Sequence, residues 1–99
     1  MIIARVVGSA VSTIKTETLI GSKLLIIREA DVAGKPTGRP LVAVDSVGAG
    51  VGDLVLAASG SSARQTPITE NRPVDTVIMA ILDSLQVEGT VTYRKEAWR

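Results

Sequence analysis

The sequence contains no histidine, no cysteine and no phenylalanine, and its aromatic residues are one Tyr and one Trp. Without His or Cys it lacks the usual zinc ligands, a Ser–His or Cys–His nucleophile pair, the thiolates of an iron–sulfur cluster and an axial histidine for haem. Most catalytic chemistry is therefore missing and no metal or cofactor is expected, which makes a small metabolic enzyme or ligand carrier a poor reading without eliminating it. The lack of cysteine also excludes a disulfide framework, and the opening MIIARVVGSAV has no cationic stretch ahead of its apolar residues, so it does not read as a signal peptide. A cytoplasmic chain is expected. Apolar runs such as residues 24–27 are far shorter than the roughly 20 residues that a membrane-spanning helix needs, so no membrane location is expected either.

The chain is instead rich in Val, Ile, Leu and Ala. Of its 99 residues 45% are hydrophobic and 21% charged, and the net charge of +1 places it with globular chains rather than with disordered polyelectrolytes. The length suits one domain over residues 1–99. A chain this short hides only about 60–68% of its unfolded surface when it folds alone, so so aliphatic a sequence leaves apolar area that a homo-oligomer would cover.

Glycines and prolines punctuate short β-rich runs. Residues 2–11 and 23–32 read as strands on their β-branched content. Residues 33–40 hold two prolines and two glycines, which predicts an irregular hairpin loop ahead of a third strand at 41–47. A fourth strand is expected at 54–58, and a short helix at 61–65 that Pro67 ends. Residues 74–87 fit neither a pure helix nor a pure strand and read as a helical turn followed by a strand. The turn Glu88-Gly89 then closes a hairpin with 90–93, and a charged tail follows. The fold class is mainly β: a small closed barrel of five to six strands with one or two short helices.

Three motifs invite a functional reading. Gly48, Ala49, Gly50 and Gly52 look at first like a phosphate cradle, but both common cradles need a helix after the glycines and a strand follows here. A tight turn or a site of close packing accounts better for them. Ser61, Ser62 and Arg64 place two hydroxyls and a guanidinium at a helix start. No base lies nearby in sequence to activate a serine, so capping and an ion pair from Arg64 are the plainer reading. Asp45 and Asp83 are the candidate partners for Arg64, since each interrupts an apolar strand where an unpaired carboxylate is costly to bury. Paired-carboxylate sugar chemistry is disfavoured by the absence of aromatic platforms. The tail from Tyr93 to Arg99 mixes cations with both aromatics, as a nucleic-acid reader does, yet strands one to four carry no aromatic residue and the net charge is close to zero. Trp98 reads better as an anchor on a neighbouring subunit or on cargo.

The opening residues 1–8, the block Asp45-Ser46-Val47-Gly48-Ala49-Gly50, the run 54–56 leading into Gly60-Ser61-Ser62-Ala63-Arg64, and Pro73-Val74-Asp75 leading to Ile81-Leu82-Asp83-Ser84 together resemble the EutN/CcmL family, the pentameric vertex proteins of bacterial microcompartment shells. The resemblance spans essentially the whole chain. It implies an OB-like barrel forming one vertex domain, a homopentamer, a structural role at the fivefold corners of a shell, and partners among hexameric shell proteins and encapsulated enzymes. It also implies that Gly48, Ala49, Gly50, Ser61, Ser62 and Arg64 lie near the central pore or the subunit interface, with Asp45 and Asp83 in structural ion pairs. The alternative from another class is an OB-fold module that binds single-stranded nucleic acid, which the barrel alone would permit.

Overall fold

A computed structural model describes residues 1–11, 23–59 and 76–96. The helix expected at 61–65, the residues Ser61, Ser62 and Arg64, and Trp98 lie outside the described residues.

Among the described residues there are seven strands: β1 (Ile2–Ala10), β2 (Leu24–Ala30), β3 (Pro36–Asp45), β4 (Leu54–Ser59), β5 (Thr76–Ile81), β6 (Ser84–Val87) and β7 (Thr90–Arg94). The first five close into a barrel in the order β1-β2-β3-β5-β4, and β6 and β7 form a separate hairpin. All barrel pairs are antiparallel except β3 with β5. That parallel seam is short, joining Val44 to Val77 and Asp45 to Ile78, and the Ser46 hydroxyl extends it by donating to the Ile78 carbonyl. This is the topology of an OB-like barrel, as expected.

Alternation builds the core. Ile2, Ala4 and Val6 of β1, Leu25 and Ile27 of β2, Ala43 of β3, Val55 and Ala57 of β4, and Ile78 and Ile81 of β5 pack inside. Ala49, fully buried, joins them from the loop after β3. A second buried cluster of Val44, Ala58 and Val77, with Leu24 and Met79 against it, comes from the neighbouring strand positions and hence the opposite face of the sheet.

Three expectations need correction. Residues 36–40 are not loop: Pro36 and Pro40 stand in the β3 ladder opposite Ala30 and Arg28, across a register shift between Arg28 and Ala30. Among the described residues only the far end of β3 meets β5, and none pairs with the outer edge beside the prolines, so a missing N–H there costs no ladder bond. Within residues 76–87 there is no helical turn; β5 breaks at Leu82 and Asp83 and the chain resumes as β6. Asp83 does not interrupt a buried strand but sits exposed in that break, where its carbonyl accepts the Lys95 N–H at 2.8 Å.

The Glu88-Gly89 turn is as expected. Both residues have positive φ, 50° and 81°, the pairing that a two-residue hairpin between right-twisted strands requires.

Candidate functional site

The loop joining β3 to β4 is built around two carboxylates. Asp45 ends β3 with its side chain only 4% exposed, and Oδ1 accepts the N–H groups of Val47 at 3.1 Å and Ala49 at 3.2 Å. Its Oδ2 stands 3.3 Å from the Lys23 ammonium, which also donates to the Ala49 carbonyl. Lys23 is placed by the sheet, because its own carbonyl accepts the Asp45 N–H at 2.9 Å beside the Leu24–Val44 pair. At the loop's other end the Asp53 carboxylate accepts the Gly50 N–H at 2.9 Å and lies 3.7 Å from the Lys95 ammonium. The Gly52 N–H goes to the Val6 carbonyl.

This arrangement answers the phosphate-cradle question. A bound anion would need the loop's N–H groups, and those of Val47, Ala49, Gly50 and Gly52 are already held, the first three by carboxylates that would repel it.

The residues expected near the pore separate into different roles. Gly48 is exposed with φ at 78°, a conformation that L side chains rarely adopt, so the turn itself requires glycine. Ala49 is buried in the barrel and its small size suits that core. Gly50 differs from both: its φ is ordinary and a Cβ placed on it meets nothing within 4 Å of its own chain. Asp45 is buried and paired, as its position in an apolar strand demands, with Lys23 as its partner.

Sequence reasoning missed Lys23 and Asp53. Asp53 was legible in principle, since a carboxylate three residues after a glycine N–H closes a local turn. Lys23 was not, because its meeting with Asp45 depends on the β2–β3 register.

The barrel's outer surface carries a further feature. On β2 and β3 Ile26 pairs with Val42, and Gly8 of β1 lies beside Ile26. Val42 is 57% exposed, and Val7 at the register shift in β1 is also exposed. These residues form an apolar outer stripe across three adjacent strands.

Comparison with known proteins identifies this construction. A profile of the family described as "Ethanolamine utilisation protein EutN/carboxysome" matches residues 1–83. The bacterial microcompartment shell vertex protein PduN of Salmonella typhimurium is 48% identical over an 89-residue alignment that covers 86% of this chain and 98% of PduN. The carboxysome shell vertex protein CcmL of Gloeobacter violaceus is 42% identical over 96 residues, 97% of this chain and 96% of CcmL. The solved CcmL structure superimposes with a TM-score of 0.87, covering 96% of this chain and 98% of that one. The pentameric microcompartment shell protein GrpN of Rhodospirillum rubrum is 38% identical with a TM-score of 0.78, over 88% of this chain and 99% of GrpN. The matched profile, the barrel and the full-length relatives agree: the chain belongs to the EutN/CcmL family.

Proposed function

We infer that this chain is a shell vertex protein of a bacterial microcompartment, acting as a ring of five that closes the corners of the shell. The observation that carries this reading is identity of 42% and 48% to two shell vertex proteins, each covered almost end to end. The shared barrel and the pentameric shell protein among its structural neighbours support it.

Physical reasoning agrees. A cyclic ring uses two different patches of each subunit, and the outer stripe around Ile26 and Val42 is apolar surface of the kind that one of them buries. Hexagonal tiles alone form flat sheets, so a closed shell needs fivefold units at its corners; hexameric shell proteins are the neighbours, with encapsulated enzymes on the inner side. The role is structural, as in the vertex proteins to which the chain is similar. The OB-like barrel would also suit single-stranded nucleic acid, but β1 to β5 hold no aromatic side chain on which a base could stack.

Native mass spectrometry at low micromolar concentration tests the reading. The wild type is expected near five times the 10.3 kDa chain mass, and Val42→Lys near a single chain mass with its far-UV circular dichroism unchanged. A wild-type protein that stays a monomer overturns the ring.

A further inference from the structure

Between the barrel and the foot of the β6–β7 hairpin runs a groove of about 630 Å³, walled by Arg5, Gly52 and Asp53 on one side and by residues 93–96 on the other. The vertex role gives this groove no task. Its volume is that of a ligand cleft, roughly 300–1,000 Å³, and far exceeds what one inorganic ion fills.

Arg5 is its fixed point. The guanidinium donates from Nε and Nη2 to the Gly34 carbonyl at 3.0 and 2.7 Å and from Nη1 to the Gly52 carbonyl at 2.8 Å. Its plane lies over the Tyr93 ring at 5.3 Å from the centroid. Three of its five N–H groups are thus used on neutral acceptors, which orient the cation without neutralising it, and two N–H groups remain. Among the described residues neither Arg5 nor Arg94 has a carboxylate partner. Asp53, the acid in the barrel wall, is occupied by the Gly50 N–H and by Lys95. A half-buried guanidinium locked in one orientation and left without a counter-charge is the arrangement that recognises a carboxylate from outside. The second cation, Arg94, lies on the same groove at the end of β7, and β7 pairs only with β6 among the described residues, leaving its other edge open to an extended chain.

We propose that this groove is a docking site for an extended acidic peptide segment of another protein, one carboxylate taking the free N–H groups of Arg5 and a second meeting Arg94. The site belongs to the single chain, so its failure leaves the ring mass and the vertex reading untouched.

The test uses the assembled wild-type protein, acetylated tetraglutamate as the probe, and acetylated tetralysine and inorganic phosphate as comparisons. Isothermal titration calorimetry reads affinity and the Arg5 Nε–Hε resonance reports the site. Tetraglutamate is expected to bind in low salt, to shift that resonance, and to weaken as salt is raised. Arg94→Glu, a change at an exposed residue, is expected to weaken binding by about tenfold with the thermal midpoint unchanged. Absence of binding, equal binding by Arg94→Glu, or phosphate binding as tightly with the same shift would each overturn the proposal, the last by making the ligand a free oxyanion. Equal binding of tetralysine would do so as well.

Discussion

At the scale of single residues, Asp45 shows how a buried charge is made tolerable. Its carboxylate receives two backbone N–H groups and one ammonium, but these are unequal partners: the bond from the Ala49 N–H is buried and that from Val47 part-buried, whereas the Lys23 side chain is 51% exposed. An ion pair with so much solvent at one end contributes about 1 kcal/mol or less. Leaving the buried Ala49 donor and the half-buried Val47 donor unsatisfied costs more, about 1–3 kcal/mol. Asp45→Asn keeps an oxygen for both N–H groups and loses only the charge, so denaturant unfolding should show a loss of about 1 kcal/mol. Asp45→Ala, which abandons both donors and the ammonium, should lose about 2–3 kcal/mol. Equal losses from the two variants would mean that the ion pair, not the loop's N–H groups, is what Asp45 supplies.

At the scale of elements, the hairpin β6–β7 is the part that needs explanation, because a two-stranded ribbon is marginal by itself in water. It is tied to the barrel through Tyr93 under Arg5 and through Lys95 on Asp53. Gly34 is central to the first of these. It has φ at 85°, its carbonyl takes two bonds from Arg5, and a Cβ there would lie 2.5 Å from Arg5 Nη2 and 2.9 Å from the Tyr93 ring. Gly34→Ala should therefore lower stability by about 2–3 kcal/mol, and hydrogen exchange should show the protection of β6 and β7 falling further than that of β1 and β2. A uniform loss across all strands would show that the hairpin is held by something else. The strands themselves were legible to the degree that each buries one face. β1 and β2 read correctly because Ala4 and Val6, or Leu25 and Ile27, alternate with less buried neighbours. Residues 76–81 did not, since Val77 and Ile78 are both fully buried, one in each apolar cluster, and burial on both faces erases the period of two. The first half of β3 was hidden for another reason: a rule against prolines in ladders assumes that both edges are paired. In the loop from Asp45 to Asp53 the glycines and the buried acid were visible in sequence, while Lys23, brought in by strand register, was not.

At the scale of the whole molecule, what a single chain leaves unexplained points to its neighbours. Of the three small residues in the loop after β3, Gly48 is required by its φ and Ala49 by the barrel core. Gly50 is required by neither, for its backbone is ordinary and the space beside it is open. If five copies crowd their loops around one axis, that space is closed by other subunits, and the smallest side chain is what lets the ring close. Gly50→Leu then separates folding from assembly: the isolated chain should keep its strand content and its thermal midpoint, because the added side chain touches nothing of its own, while native mass spectrometry should show the ring replaced by smaller species. A Gly50→Leu ring of unchanged mass would place Gly50 away from the axis. Smaller species together with a lowered midpoint of the single chain would assign the glycine to the loop's own fold. A lost ring with an intact chain would show that a position free within the monomer is constrained by fivefold symmetry alone.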